Sequence, residues 1–562
     1  MKPEYLTVEQ LVVGRQFMIP DYQRPYSWQT QQRKELFGDL LKLNEVEDDR
    51  HHFMATIVCS RTDRREKVNE IKYLKVREVV DGQQRLTTLL ILIKSLALIL
   101  EKERNELAED VQDILVPGRH GLVLLQTNHD EAGIFSAYLR GGDVPEVNRQ
   151  RTHSSRNLAL AIAECREFSK GLANEGLGNI TRLLNRILNN IGLIYYEVDD
   201  SHSVYTVFEL LNSRGLAVDW MDKCKSILMG AADEQDCSAQ VMDEIKSVWS
   251  RIYAAVGVRD VPGDEVMRFT ATLIAETRPS ALMNSQEAFD LIKQQANSGP
   301  DEPLTLSSVM EQVVSKRVQL EEFNLRTAVA HIVHARFLWI AINLSNILET
   351  HERETALTRW ERITFRVFGL HRNDSRTAKG VYARLAYDIY NGEIDYRELM
   401  DRIEELAEDY DIESALEKVR QTDCYENWQA QLRYLLYEFE KHSAKVEGGR
   451  IAEDVIEAIW MTSPNKSIEH IAPVEPGADW EGLTNELGDD YSFQINRIGN
   501  LCLLAPADNS RAKNRSFEKK REIYAKSGLP SIRQISGKDD WGVNEINQRE
   551  DVLIEWIRER WA

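Results

Sequence analysis

The sequence contains no paired cysteines. Six cysteines are scattered along the chain and form no CxxC motif: Cys59, Cys165, Cys224, Cys237, Cys424 and Cys502. Such spacing excludes a disulfide-rich scaffold and is typical of a cytosolic chain with reduced thiols. The N-terminal segment MKPEYLTVEQLVVGRQ also has no apolar core of the kind that a signal peptide needs. We therefore expect a cytoplasmic protein.

Long hydrophobic runs are missing as well. The longest one, residues 86–100, includes two threonines, a lysine and a serine. It is too short to span a bilayer comfortably, so we expect a buried helix there and no membrane partner. We find no internal repeat and no low-complexity tract.

Basic residues are outnumbered by acidic ones, with 70 Lys and Arg against 91 Asp and Glu. The 562 residues carry a net charge of −21, although 29% of them are charged. This balance argues against a protein whose whole surface binds nucleic acid. The length predicts about three domains with sizeable cores.

The most informative segment lies near the C-terminus. It contains EHIAP, with Glu469 directly before His470, and then GNLCLLAPADNSRAK, with Asn500 and Asn509 nine residues apart. This layout resembles the ββα-metal site of HNH nucleases, in which Asp/Glu-His-Ile-x-Pro is followed by Asn-Leu, a His or Asn nine residues later, and a Lys. Lys513, which stands one residue later than usual, completes the predicted catalytic set. The zinc-knuckle cysteines of some HNH proteins are absent, because only Cys502 lies nearby.

Phosphodiester cleavage explains these residue types. It needs a nucleophilic water and a cation that neutralises phosphate charge. His470 is predicted to deprotonate the water. Mg²⁺, or Mn²⁺ in its place, takes oxygen ligands, and Glu469 and Asn509 are predicted to supply them. Asn500 is predicted to hold the loop and orient His470.

Local charge supports a nucleic-acid site at this segment. The segment from residue 497 to residue 526 contains eight Lys or Arg and three acidic residues. A phosphate backbone is attracted to such a patch. The predicted DNA contacts are Arg511, Arg515, Lys519 and Lys520.

The N-terminal region contains three further motifs: IPDYQRPYSW (residues 19–28), DGQQR (81–85) and FELLNSRG (208–215). DGQQR follows a predicted strand and precedes an apolar helix, whose N-terminus suits an anion. Arg85 adds a forked cation for phosphate oxygens, and Asp81 suits a metal ion or a ribose hydroxyl. Gln83 and Gln84 could orient a water or contact a base. The third motif displays Asn212 and Arg214 at a helix end.

These motifs together resemble the GmrSD-type, modification-dependent restriction enzymes, and SFEKKREIY (residues 516–524) matches their C-terminal domain. The resemblance implies an N-terminal domain related to the ParB/sulfiredoxin fold that binds and hydrolyses a nucleoside triphosphate, GTP or ATP. The implied nucleotide-binding residues are Tyr22, Gln23, Arg24, Asp81, Gly82, Gln83, Gln84, Arg85, Thr87, Asn212 and Arg214.

We therefore predict a mainly α-helical α+β protein with three parts. Residues 1–230 form a ParB-like nucleotide-binding domain, residues 231–440 a helical connector, and residues 441–562 an HNH nuclease domain. The resemblance implies an NTP-responsive, metal-dependent endonuclease that cleaves foreign DNA, modified phage DNA in particular, in bacterial defence.

Two alternatives stay open. One is a nucleotide-dependent DNA-binding regulator whose HNH fold does not cleave, although the intact Glu469, His470 and Asn509 set argues against it. The other is a nuclease that cleaves RNA. The sequence also leaves open which modification and which nucleotide are recognised, and whether the chain forms a homo-oligomer.

Overall fold

The computed structural model describes residues 3–43, 52–118, 122–130, 133–198, 219–235, 237–258, 261–320, 328–329, 331–460 and 462–562. They fall into two compact units. Unit 1 consists of Met1–Ala271 and Asn284–Val318, and unit 2 of Thr272–Met283 and Gln319–Ala562. Residues of the predicted connector are thus found in both units, and the predicted boundaries at 230 and 440 stay a prediction.

Unit 1 is built on a six-stranded mixed sheet with the order β1-β6-β3-β4-β2-β5. β1 pairs antiparallel with β6, and β3 antiparallel with β4, whereas β6–β3, β4–β2 and β2–β5 are parallel pairs. The strands are β1 (Glu4–Thr7), β2 (Arg15–Met18), β3 (His52–Lys67), β4 (Tyr73–Asp81), β5 (Leu125–Gln126) and β6 (Ile191–Val198).

The helices that begin in unit 1 are α1 (Val8–Val12), α2 (Thr30–Leu43), α3 (Gln83–Lys102), α4 (Glu106–Leu115), α5 (Ile134–Gly141), α6 (His153–Asn174), α7 (Leu177–Asn189), α8 (Trp220–Glu234), α9 (Ala239–Val258), α10 (Gly263–Leu273), α11 (Ser285–Ala296) and α12 (Glu302–Leu320).

Helix α3 is the centre of the unit 1 core. It is long and apolar enough to cross a membrane, but 83% of its most apolar window is buried inside the protein. Its apolar residues pack with those of α6 and α7 and with the sheet. The predicted buried helix at residues 86–100 is therefore confirmed.

Nearly all of the regular elements described in unit 2 are helices. Its helices are α13 (Val333–Leu344), α14 (Thr350–Thr364), α15 (Lys379–Asn391), α16 (Tyr396–Glu405), α17 (Ile412–Arg420), α18 (Cys424–Asn427), α19 (Gln429–Val446), α20 (Glu453–Trp460), α21 (Pro464–Ser467), α22 (Glu481–Leu487), α23 (Tyr491–Ile495), α24 (Pro506–Ala512), α25 (Phe517–Tyr524), α26 (Pro530–Ser536) and α27 (Val543–Trp561), and a π-helical turn, Phe365–Leu370, continues α14. The predicted mainly α-helical α+β class is confirmed.

Local signals in the sequence explain several helix starts in unit 2. Pro464, Pro506 and Pro530 stand in the first turn of α21, α24 and α26, where a missing backbone N–H costs nothing. Asp411 accepts a hydrogen bond from the backbone of Ser414 at the start of α17. Proline and capping residues thus set where these helices begin.

Two strands interrupt the helices of unit 2. β7 (Ile468–His470) pairs antiparallel with β8 (Leu501–Leu503), so that Glu469 lies opposite Cys502 and His470 opposite Leu501. Helix α24 follows β8 directly. Two strands and a helix therefore carry the segment that the sequence singled out.

Stability of unit 2 is expected to fall as the pH rises toward 7, because of Glu440 in α19. The carboxylate accepts hydrogen bonds from the backbone and hydroxyl of Ser531, yet burial raises the pKa of Glu440 from 4.5 to about 7. The unfolded chain releases this proton near pH 4.5 while the folded chain keeps it, so the stabilisation present below pH 4.5 is lost as the pH rises to 7.

Glu440→Gln lacks this titration. We measure the free energy of unfolding of both proteins by urea denaturation. The value for Glu440→Gln minus the value for the wild type should increase by up to about 3 kcal/mol between pH 4.5 and pH 7. Glu457→Gln, an exposed position in α20, is the control. A gain that does not depend on pH would contradict the assignment.

Candidate functional site

Asn500 connects the loop after β7 to its surroundings. Its Oδ1 accepts hydrogen bonds from the backbone N of Ala472 (2.8 Å) and from Nε1 of Trp541 (3.0 Å). Its Nδ2 donates to the carbonyls of Ala472 (2.9 Å) and Ile495 (2.8 Å). The side chain therefore holds the loop, as predicted, but its hydrogen bonds do not include His470.

His470 is oriented by another residue, Asn496. Its Nε2 lies 2.8 Å from Oδ1 of Asn496, and the ring of Tyr425 meets the imidazole edge-on with centroids 4.3 Å apart. Burial lowers the pKa of His470 to about 4, although the hydrogen bond from its Nε2 to Oδ1 of Asn496 opposes the shift. The ring is thus neutral at pH 7, which a general base requires.

Asn496 is itself anchored to the segment before α18. Its Nδ2 donates to Oδ2 of Asp423 (2.9 Å), and its carbonyl accepts a hydrogen bond from the backbone N of Cys424 (3.0 Å). The sequence analysis missed Asp423, Tyr425 and Asn496. No local pattern marks them, because Asp423 and Tyr425 precede the HNH motif by more than forty residues.

Glu469 forms a buried ion pair. Its Oε1 accepts hydrogen bonds from Nζ of Lys520 (2.7 Å) and from the hydroxyl of Tyr524 (2.9 Å), and Lys520 also donates to the carbonyl of His470 (2.6 Å). Burial raises the pKa of Glu469, although Lys520 and Tyr524 oppose the shift. Lys520, predicted to contact DNA, is instead fully buried and occupied inside the protein.

Asn509 lies in α24 beside β7. Its Nδ2 donates to the carbonyls of Lys466 (2.9 Å) and Ile468 (3.2 Å). The amide oxygen of Asn509, Oδ1, forms no hydrogen bond with the residues that the structure describes. The side chain thus connects α24 to β7, and its oxygen Oδ1 can serve as a metal ligand.

The donor set suits a hard cation. Oε2 of Glu469 and Oδ1 of Asn509 form no hydrogen bonds with the described residues. Both are oxygen atoms of the type that Mg²⁺ prefers as ligands. Within the described part of the chain, no cluster of three His, Cys, Asp or Glu side chains offers a competing metal site. The ammonium group of Lys520 weakens the attraction between Glu469 and a metal cation, since it already compensates the charge of the carboxylate.

Four of the predicted DNA-contacting or catalytic cations are exposed: Arg511, Lys513, Arg515 and Lys519. Arg511 pairs with Asp508 on the same helix. Lys513 ends α24 with a φ of +38°, a left-handed conformation that is rare for a lysine. Cations thus remain available beside the strand–strand–helix element.

In unit 1 the first two N-terminal motifs come together. Gln23 donates to the carbonyl of Val80 (3.2 Å) and Gln83 to that of Arg24 (3.3 Å). Gln84 donates to the carbonyl of Pro25 (3.0 Å) and accepts from the backbone N of Ser27 (2.9 Å). All three glutamines are buried, so in this structure their amides hold the two motifs against each other.

The turn between β4 and α3 requires glycine. Gly82 has a φ of +89°, and a Cβ there would lie 2.9 Å from the carbonyl oxygen of Thr56. Burial raises the pKa of the preceding Asp81 and lowers the pKa of Arg85, whose guanidinium lies 6.0 Å from the ring of Trp28. Thr87, another predicted nucleotide contact, is buried in the helix.

Two cations and two carboxylates adjoin this turn. Arg24 lies 3.4 Å from Asp219 and 3.3 Å from Asp222. Lys225 donates to Oε1 of Gln23 (2.6 Å), and burial lowers the pKa of Lys225 to about 8. The sequence analysis missed these three residues of α8 and its N-cap.

Tyr22 is a further predicted nucleotide contact. The hydroxyl of Tyr22 lies 3.3 Å from a carboxylate oxygen of Glu78. Asn212 and Arg214 fall outside the described residues, so their predicted positions stay a prediction.

Comparison with known families yields two matches. The model of the N-terminal domain of the GmrSD restriction endonuclease matches residues 8–229, and the model of the C-terminal domain of GmrSD restriction endonucleases matches residues 409–556. Together they cover about two thirds of the chain. The second match begins upstream of Asp423, so it includes the residues that contact His470. No curated protein matches the chain.

Loss of the Lys520 ammonium should destabilise the protein. Lys520→Met leaves Glu469 as an uncompensated buried charge, and breaking such a pair costs about 3–5 kcal/mol. The free energy of unfolding from urea denaturation gives the measurement. The neighbouring exposed position provides the control, because Lys519→Met should change that free energy by no more than about 0.5 kcal/mol. Equal values for the two variants would contradict the buried pair.

Proposed function

The chain belongs to the GmrSD restriction endonuclease family and is a DNA endonuclease of a defence system. We propose that it cleaves modified phage DNA. We further propose that the reaction depends on a metal ion and is controlled by a nucleoside triphosphate. The observation that carries the proposed chemistry is His470, held by Asn496 at the end of β7, beside Glu469 and within the strand–strand–helix element.

His470 acts as the general base in this proposal. A proton of the attacking water moves to the imidazole, the water oxygen bonds to phosphorus, and the bond to the leaving oxygen breaks. The leaving oxygen takes a proton from solvent. Burial makes the ring a weak base, but the phosphate of a bound substrate brings negative charge close to it and raises the pKa again.

Glu469 and Asn509 would hold Mg²⁺, through Oε2 and Oδ1. The ion supplies charge neutralisation at the phosphate. Lys513, Arg511, Arg515 and Lys519 provide exposed cations for the DNA backbone beside this site. Their attraction falls with salt, as expected for contacts to phosphate.

The nucleotide-responsive half of the proposal concerns unit 1. Asp81, Gly82 and Arg85 surround the N-terminus of α3, where backbone N–H groups favour an anion. Arg24 and Lys225 add two cations close to the same turn. A triphosphate bound and hydrolysed here would give the enzyme a means to restrain cleavage of host DNA.

The first experiment tests the nuclease centre. Purified protein with Mg²⁺, with and without ATP or GTP, is incubated with unmodified, glucosyl-hydroxymethylated and phosphorothioate DNA, and with RNA. We expect cleavage of a modified DNA, and a fall of about 10²–10⁴-fold in rate for His470→Ala, because a positioned base is lost. EDTA should stop the wild-type reaction.

His351→Ala is the matched control, since this histidine is exposed at 76% of its side chain in the same unit. Cleavage by His470→Ala within a fewfold of the wild type would rule out this base. Cleavage that persists in EDTA would rule out the metal, and cleavage of RNA alone would change the substrate.

The second experiment tests the nucleotide site by calorimetric titration of ATP and GTP. Arg85→Ala should weaken binding about 10- to 100-fold, because a guanidinium–phosphate hydrogen bond is lost. The exposed Arg149→Ala should bind as the wild type does.

A different pattern would contradict the nucleotide-responsive half. If Arg85→Ala unfolds at a lower temperature but binds nucleotide normally, Arg85 only braces the turn against Trp28. If the wild type itself binds neither nucleotide, the site in unit 1 has another ligand.

A further inference from the structure

Asn496 lies between His470 and Asp423 and hydrogen-bonds to both. Its Oδ1 is 2.8 Å from Nε2 of His470, and its Nδ2 is 2.9 Å from Oδ2 of Asp423. The other oxygen of Asp423, Oδ1, accepts a hydrogen bond from the backbone N of Glu426 (2.8 Å), where Asp423 caps α18. Three side chains thus form one continuous chain of hydrogen bonds.

The chemistry of these groups determines where each hydrogen lies. Both oxygens of Asp423 act as acceptors, so the atom of Asn496 that faces Asp423 must be the NH₂ group. The amide oxygen of Asn496 therefore faces His470, and since this oxygen has no hydrogen, Nε2 must carry one. A neutral imidazole has a single N–H, which leaves the lone pair on Nδ1.

The other contacts of the ring agree with this assignment. None of the described residues forms a hydrogen bond with Nδ1. The carbonyl of Asn496 also accepts a hydrogen bond from Cys424, so the amide is held at both its backbone and its side chain. Tyr425, two residues after Asp423, packs against the imidazole and limits its rotation.

We propose that Asn496 and Asp423 are positioning residues that hold His470 in the tautomer with Nε2 protonated, so that Nδ1 is the atom that takes the proton from the attacking water. This inference rests on the proposed role of His470 as the base. It extends the nuclease centre upstream to residue 423, beyond the predicted domain boundary at 441.

Asp423→Asn tests the inference with little change in shape. An asparagine has only one acceptor oxygen, and the cap of α18 needs it, so the new NH₂ group faces Asn496. Asn496 must then turn its oxygen toward position 423 and its own NH₂ toward His470. Nε2 becomes an acceptor, and the proton moves to Nδ1.

Two readouts follow at a fixed pH of about 7.5. Nitrogen NMR of ¹⁵N-histidine-labelled protein, assigned with His470→Ala, should show Nε2–H in the wild type and Nδ1–H in Asp423→Asn. Cleavage should fall about 10²–10⁴-fold, as for loss of a positioned base. Asp395→Asn is the control, because Asp395 caps α16 through the backbone of Glu398 in the same manner, far from His470 in the sequence, and asparagine caps a helix as well as aspartate.

A double variant provides a rescue that a merely structural role does not predict. In Asp423→Asn combined with Asn496→Asp, the amide at position 423 donates to the carboxylate at position 496, whose other oxygen accepts from Nε2 of His470. The Nε2–H tautomer returns, and cleavage should recover at least tenfold over Asp423→Asn alone.

Three results overturn the inference: an Nδ1–H tautomer in the wild type, cleavage by Asp423→Asn within threefold of the wild type, or no recovery in the double variant. Failure of the proposed function is distinguishable. If His470→Ala still cleaves DNA, the base is wrong, whereas the tautomer is measured without reference to activity.

Discussion

Four hydrogen bonds of the Asn500 side chain connect three segments of unit 2, at Ala472, Ile495 and Trp541. The connection matters because β7 and β8 are three residues long and, within the described part of the chain, pair only with each other. So small a sheet is marginally stable alone. All three partners are buried, so an apolar residue at position 500 would leave polar groups unpaired at about 1–3 kcal/mol each. The loop that follows Glu469 and His470 is thus held in place by the residue directly before β8.

Much of the candidate nuclease site could be predicted because its residues lie at fixed spacings in one segment. In the structure His470 ends β7, Asn500 directly precedes β8 and Asn509 lies within α24. Lys520 was misjudged as a DNA contact, although a signal existed: Phe517, Lys520 and Tyr524 share one helical face, and all three are buried. Asp423 and Asn496 could not be found, since 73 residues separate this pair and hydropathy does not encode which polar groups meet.

In the candidate site of unit 1, too, the local features could be predicted from the sequence and the long-range polar contacts could not. The glycine of the DG turn and the apolar helix after it are local features, and both were predicted correctly. The partners of Arg24 come from α8 and its cap, about two hundred residues later in the chain. Lys225 shares a helix with buried Met221 and Leu228, where a lysine looks like an interruption of the core. Its hydrogen bond to Gln23 can be recognised only in the folded structure, where the two residues lie side by side.

Charge explains how an acidic chain can offer a site to DNA. At physiological ionic strength the interaction between exposed charges is screened within about 8 Å. The net charge of −21 is therefore felt weakly at any one position, and the groups within that distance of the phosphate decide its attraction. Around α24 these are exposed cations, while the nearby negative charge of Glu469 is buried and paired with Lys520. Burying that acid together with its counter-ion removes a source of repulsion from the DNA phosphate, because the pair has no net charge. The attraction around α24 is therefore decided by the balance of Arg511, Lys513, Arg515 and Lys519 against Asp508 and Glu518, and less by the composition of the whole chain.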